Sequence, residues 1–187
     1  MGSMSAVPST DVFEAIRQRQ SIRTFQGREI EPEKLQMLLA AIDQAPSAGN
    51  LQAYQVWLVR DHTVKQLLVR AALEQEFIAQ APMVLVFSTA PARAAKYGAR
   101  GETLYTLQDA TVGAAYAQLA ATALGLGSCW VGAFNEEMVS KVLHLPPDQK
   151  PVAMLPVGYP AENTRRTSRR PLEELVQEFP PEPKPTP

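Results

Sequence analysis

Two guanidinium groups and a hydroxyl fall within five residues at Arg19-Gln20-Ser21-Ile22-Arg23. A planar guanidinium can hold a phosphate through two parallel hydrogen bonds, and a hydroxyl between two of them can add another. The same residues also suit a solvated helix end, where arginine complements the helix dipole. A second basic run, Arg165-Arg166-Thr167-Ser168-Arg169-Arg170, lies near the other end of the chain. The two arginine groups together would suit a phosphate-bearing cofactor; the plain alternative for the second is a solvated charge run. Between them, Pro46-Ser47-Ala48-Gly49-Asn50-Leu51-Gln52 reads as a loop of small side chains, hydroxyl and amides. Such a loop turns the chain, and it can also bring backbone close to a ligand while offering hydrogen bonds.

Other chemistries find little support. No carboxylate pair, catalytic triad or Gly-x-Ser-x-Gly stands out, which leaves hydrolysis without candidates. Cys129 is the only cysteine, and His62 and His144 lack metal-ligand spacing, so no metal site is expected. An enzyme built this way would leave its reaction to a bound cofactor. The 187 residues fit one domain, and the net charge of −1 argues against a general nucleic-acid or membrane-surface binder. No apolar run approaches membrane-spanning length and no secretory signal is visible, so a cytoplasmic location is expected. Met1-Gly2-Ser3 before Met4 resembles a cloning remnant, and residues 1–10 are set aside as a lead.

The elements that must position these residues can be read in order. Asp11 can cap a short helix whose buried side would be Val12, Phe13 and Ile16, with Glu14 as capping-box partner. A second helix begins near Pro32 and carries the stripe Leu35, Leu38, Leu39, Ile42. Tyr54 to Val59 reads as a strand, Val64, Leu67, Leu68 and Ala71 mark a helix, and Met83 to Phe87 is a strand covered on both faces. Residues 90–103 show no period and suit either a substrate lid, extended to 105 with Tyr97 and Tyr105, or a plain connection. The longest helix runs from about Leu104 to Leu124, apolar nearly all round and rich in alanine, which suits a buried helix or one shared with a second subunit. Gly125-Leu126-Gly127 ends that helix and is no dinucleotide fingerprint, because it follows a helix. Ser128 to Ala133 reads as a strand, Asn135 caps a short helix that His144 closes, and Pro151 to Tyr159 is a last strand. A short amphipathic piece, Leu172 to Phe179, and a Pro-rich end follow.

Seven pieces carry a resemblance to the nitroreductase family of FMN-dependent oxidoreductases, in its shorter form. In order they are Arg19 to Arg23, Ala45 to Gln52, Ala81-Pro82 before the apolar strand, Gln108-Asp109, Ala120 to Gly132, Val157-Gly158-Tyr159-Pro160, and Arg169-Arg170-Pro171-Leu172. The similarity runs from about Asp11 to Val176, and residues 11–176 form the expected FMN-binding domain, with a Pro-rich tail at 177–187. Arg-x-Ser-x-Arg alone is common by chance; seven pieces in one order are specific.

The resemblance implies an α+β fold, a mixed β-sheet flanked by helices, in an intertwined homodimer with FMN at the interface. It implies that Arg19 and Ser21, with Gln20 between them, hold the phosphate and ribityl chain, and that Arg23 lies near the pyrimidine edge. Pro46, Ser47 and Asn50 would approach the same flavin from the other subunit. Gly132, after Val131, would offer its backbone N–H to the flavin N5; Arg169 would complete the phosphate site, and Gln75 would reach the pyrimidine. The implied reaction is ping-pong: NADH or NADPH reduces the flavin, and a nitroaromatic, quinone or similar small acceptor reoxidises it. Thr167 stands where some members carry lysine, and the segment before the long helix is short, which bears on FMN affinity and on substrate identity. Two other readings are a specialised flavin enzyme of the same fold, deiodinase-like or flavin-cleaving, and a flavin- or nucleotide-binding protein without turnover.

Overall fold

The computed structural model describes residues 10–162 and 167–179, so Met1-Gly2-Ser3, Arg165-Arg166 and the Pro-rich end at 180–187 lie outside the described residues. The Asp11 carboxylate accepts hydrogen bonds from the Phe13 and Glu14 N–H groups and starts α1, Val12–Gln18. The expected buried side of α1 is corrected. Val12, Phe13 and Ile16 are 58%, 80% and 53% exposed, and Ala15 is the buried residue. Those three side chains share one face, which nothing among the described residues covers.

Helix α2, Pro32–Asp43, starts at its proline and buries Leu38 and Ile42. Strand β1, Tyr54–Val59, leads through the Asp61 cap to α3, His62–Ala71. Strand β2, Met83–Thr89, is buried along its whole length, as a strand covered on both faces must be. The long helix α4 is Thr106–Ala123, followed by β3, Gly127–Ser128. Helix α5, Glu136–Leu143, is capped by Asn135, whose Oδ1 accepts from the Met138 N–H at 2.9 Å. His144 closes α5 in the left-handed conformation, so it serves that terminus as the sequence suggested. Strand β4, Pro151–Gly158, is the last.

The strands form one sheet in the order β1-β2-β4-β3 with antiparallel ladders, and a parallel bridge joins Ser21 to Ser128. Alternation along β2 sends Met83, Leu85 and Phe87 to one face, against Leu38 and Ile42 of α2 and the alanines of α4. Val84 and Val86 face the other way, against Leu68 and Val69 of α3 and Val139 of α5. The result is an α+β layer structure. Among the described residues no helix is long and apolar enough to cross a membrane.

The strand expected over Ser128–Ala133 is shorter than its composition suggests. It reduces to Gly127–Ser128 and a separate bridge between Val131 and Met154. The cause lies across the ladder. Cys129 stands opposite Pro156, which has no N–H to return, and the one remaining bond, from the Cys129 N–H to the Pro156 carbonyl, stretches to 3.4 Å.

Two polar anchors fix the chain around this sheet. The buried Lys65 ammonium donates to the Ala81 carbonyl at 2.6 Å, just ahead of Pro82 and β2, and burial lowers its pKa. At the exit of β4, the Tyr159 hydroxyl donates to Glu31 and accepts from Lys34 at 2.9 Å, while the Arg28 guanidinium lies 4.1 Å from the ring centroid. The Tyr159 hydrogen bond above all, then backbone and Arg28, holds the Glu31 carboxyl at about 2. A carboxylate with a lowered folded-state pKa stabilises the fold fully above its unfolded value and loses that contribution as pH falls through the folded one. Wild type should therefore lose stability between the ordinary carboxylate range, about 4.3, and about 2. Glu31→Gln should flatten this acid limb in urea titrations at stepped pH, and an unchanged limb would remove Glu31 from the account.

Candidate active site

The Arg-x-Ser-x-Arg segment leaves α1 as extended chain and threads between two edges. The Ile22 N–H donates to the Ser128 carbonyl at 3.0 Å, Gln26 to Tyr159 at 2.9 Å, and Ala161 donates back to Thr24 at 2.9 Å. Extended backbone alternates its side chains. Gln20 and Ile22 turn into a cavity of about 310 Å³ shared with Gln18, Thr122 and Gly127. Gln20 therefore offers a ligand on the opposite face only its backbone. Arg19, Ser21 and Arg23 gather instead around Cys129: burial raises the thiol pKa, and Arg23, a Ser21 hydrogen bond and Arg19 pull against that rise. Neither Arg19 nor Arg23 forms an ion pair among the described residues. The Arg23 guanidinium lies 6.0 Å from the Phe77 ring centroid.

Phe77 leads to Gln75, whose Nε2 donates to the carbonyls of Ala72 at 2.8 Å and Ala133 at 3.2 Å. That places the Gln75 amide beside Gly132. Leu73 and Glu74 hold the approach with φ of 57° each, a left-handed pair without glycine. Such backbone costs about 1–3 kcal/mol per residue and persists where the surroundings impose it. Val131 exchanges both backbone bonds with Met154, at 2.9 and 3.0 Å, and its side chain is in the core. In an antiparallel ladder the residue after such a pair points its N–H away from the partner strand. Gly132 is exposed there, and its N–H has no acceptor among the described residues.

The second loop is built as carefully. Ala48–Asn50 makes a tight turn in which Gly49 and Asn50 both have φ of 56°, and Gln52 follows at 42°. The Ser47 hydroxyl accepts from the Gln52 N–H at 3.0 Å, and Asn50 Oδ1 accepts from Gln52 Nε2 at 2.6 Å. Ser47 thus keeps its hydroxyl proton, and Asn50 keeps its Nδ2 donors, for another partner; Pro46 is exposed beside them.

What holds this loop was missed in the sequence. Asp109 on α4, only 4% exposed, accepts from the Ala48 N–H at 2.9 Å and the Ala53 N–H at 3.1 Å, one at each end of the loop. One turn earlier the Thr106 hydroxyl donates to the Ala53 carbonyl and accepts from the Ala90 N–H. Arg93 donates to the carbonyls of Gln52 and Tyr54 and to the Gln55 side chain. The available signal was a carboxylate inside an otherwise apolar, alanine-rich helix, a position that requires partners.

The two loops lie far apart in one chain. The arginine segment packs at the Pro82 end of β2, where Phe25 and Pro82 both crowd Gly158, and the Asp109-bound loop runs into Tyr54, opposite Thr89 at the other end. Seven residues of strand separate them, roughly 20 Å at the usual rise. Arg19, Ser21, Arg23, Gln75 and Gly132 thus form one cluster, and Pro46, Ser47 and Asn50 form another. Arg169 is exposed and forms no ion pair among the described residues, while its neighbour Arg170 pairs with Glu174 at 3.2 Å.

The model of the Nitroreductase family matches residues 16–75 and 62–159, well over half the chain. The chain belongs to that family. Among relatives of this nitroreductase-family chain, a Thermus thermophilus protein named NADH dehydrogenase is 30% identical over 92% of this chain and 98% of its own length. A Bacillus subtilis protein named FMN reductase (NAD(P)H) is 29% identical over 87% of this chain and 71% of its own. The Vibrio harveyi NADPH:FMN oxidoreductase, solved with NAD+, superposes with a TM-score of 0.83 at 27% identity, covering 90% of this chain and 76% of that one.

The nitroreductase-family loop at 47–53 should depend on Asp109. Asp109→Ala strands the buried Ala53 N–H and the half-buried Ala48 N–H, and urea denaturation should show a loss of about 3 kcal/mol. A loss below about 1 kcal/mol would mean that water or another acceptor replaces the carboxylate.

Proposed function

We propose that this chain is an FMN-dependent oxidoreductase that takes a hydride from NADH or NADPH and reduces a nitroaromatic, quinone or similar small acceptor in a ping-pong cycle. The observation that carries this reading is the Arg19–Ser21–Arg23 cluster, two cations without a carboxylate partner among the described residues, beside the Gln75 amide and the free Gly132 N–H. A phosphate-bearing cofactor with a polar ring edge fits that donor set: phosphate needs guanidinium, and a ring nitrogen needs a donor at its own level. Bound FMN would supply the hydride chemistry, accepting from the nicotinamide and passing electrons to the acceptor.

Each residue then has a task. Arg19 and Ser21 hold the phosphate and ribityl chain, and Arg169 adds a cation from the C-terminal segment. Arg23 and Gln75 face the pyrimidine edge, where positive charge favours the reduced, more anionic state. Gly132 presents its N–H toward N5, and Val131 fixes Gly132 through the Met154 pair. Pro46, Ser47 and Asn50 cannot reach that flavin from the same chain, since the length of β2 stands between them. A second copy supplies them, which makes the working unit a homodimer with the flavin at its interface. The uncovered apolar faces support this. Val12, Phe13 and Ile16 on α1, and Leu172, Leu175, Val176 and Phe179 beyond β4, are all exposed on the single chain. Contiguous exposed apolar surface of this kind marks an interaction face.

The test is spectroscopic. The purified protein should carry or take up FMN, and anaerobic NADH or NADPH should bleach it. Arg19→Ala should lower FMN affinity by about 1.5–3 kcal/mol, the worth of charge-assisted phosphate contacts, read as flavin lost on gel filtration; Arg70→Ala, on the exposed side of α3, should not. Full flavin occupancy in Arg19→Ala would overturn the phosphate assignment, and a flavin that binds but never bleaches would favour another electron donor.

A further inference from the structure

The connection from β2 to α4 is a chain of short helical turns, Pro91–Ala94, Ala95–Tyr97, Gly98–Arg100 and Gly101–Tyr105. Its shape is fixed rather than loose. Arg93 ties its start to Gln52 and Tyr54, and Gly98 turns it with φ 60° and ψ −155°, a conformation essentially closed to residues with a Cβ. The connection closes over the turn at Gly49, where an added Cβ would overlap the Tyr97 hydroxyl and stand 3.3 Å from the Lys96 ammonium.

Around this contact four side chains order one another. Tyr97 and Tyr105 meet edge to face, 5.5 Å between centroids and 76° between planes. The Lys96 Nζ lies 5.0 Å from the Tyr97 centroid, and the Arg100 guanidinium lies 5.5 Å from that of Tyr105 while its Nε donates to the Tyr105 hydroxyl at 3.2 Å. Lys96 and Arg100 are exposed and pair with no carboxylate among the described residues, although Glu102 lies in the same connection. Arg93 differs from them, its guanidinium being committed to backbone and Gln55.

We propose that Lys96 and Arg100, framed by Tyr97 and Tyr105, form the recognition site for the anionic group of a planar ligand delivered to the flavin. The inference rests on the reading of the Ser47–Asn50 loop as a wall of the flavin site, because that loop is what the patch sits on. Aromatic faces beside two unpaired cations match a ligand that carries both a ring and a negative charge. Two sources share this chemistry: the adenine ring and 2′-phosphate of NADPH, and an aromatic acceptor bearing a carboxylate.

The test uses the FMN-loaded dimer with matched substrates. The ratio of kcat/KM for NADPH to that for NADH reads the donor, and the ratio for 4-nitrobenzoate to that for nitrobenzene reads the acceptor. In Lys96→Met/Arg100→Met, which keeps the apolar stems, one of the two ratios should fall about tenfold, and Lys96→Glu/Arg100→Glu should lower it further. Added salt should shrink the effect, because exposed charges are screened. A fall in the first ratio assigns the site to the donor, and a fall in the second assigns it to the acceptor. Both ratios within about twofold of wild type, with the flavin retained and reduced, would overturn the proposal. Loss of flavin from the variants would also overturn it, by assigning the cations to the cofactor. Wild-type flavin that neither donor bleaches would fail the oxidoreductase reading instead, a different outcome.

Discussion

A single buried carboxylate governs one end of this molecule. Asp109 sits on the alanine-rich buried side of α4 and accepts from the N–H groups of Ala48 and Ala53. A buried charge survives only when its partners are fixed, and the partners here are backbone, so the loop between them has one shape. That shape carries three positive φ values in four residues, strain that an isolated loop would relax. The Thr106 and Arg93 bonds, and the packing of Tyr97 on Gly49, all build on a loop already held from below.

The other end depends on edges. The segment from Ser21 to Gln26 has no ladder of its own and takes its conformation from Ser128 on one side and the Tyr159–Ala161 chain on the other. Extended backbone between two edges alternates its side chains, which is how Arg19, Ser21 and Arg23 come to share a face and Ile22 points the other way; the alternation lapses beyond Arg23, where Phe25 joins Ile22 and Ala81 in a small apolar cluster. The two ends are as far apart as β2 is long, so the arginine cluster and the Ser47–Asn50 loop do not meet within one chain.

Much of this was legible in the sequence where a local signal decides a local structure. Asp11, Pro32 and Asn135 start helices where their chemistry says they should, and the unbroken apolar run at Met83 is the strand buried on both faces. The misreadings share a physical cause: the deciding partner is remote in sequence. Pro156 shortens a strand whose own residues favour it, because the missing donor belongs to the strand opposite. The apolar side of α1 was read as buried, and the single chain leaves it bare. Gln20 stands within the Arg19–Arg23 run yet lines a cavity with Ile22, a direction set by pairing and not by spacing. Gln108-Asp109 was visible as a motif fragment, but its task became readable only once the ends of a loop sixty residues earlier were seen to point at it.

The open edge at Gly132 has a cost that the surrounding chain contains. An unpaired sheet edge is a template for a strand from another molecule, and long ones promote aggregation. Here the exposed stretch is cut short on both sides. Val131 is already paired, the Ala133 carbonyl is taken by Gln75, the Asn135 N–H is bonded to Ala71, and α5 begins at once. One free donor can hold a ring atom of a small molecule, but it cannot propagate a ladder. The same brevity keeps this edge from serving as a template for a further strand.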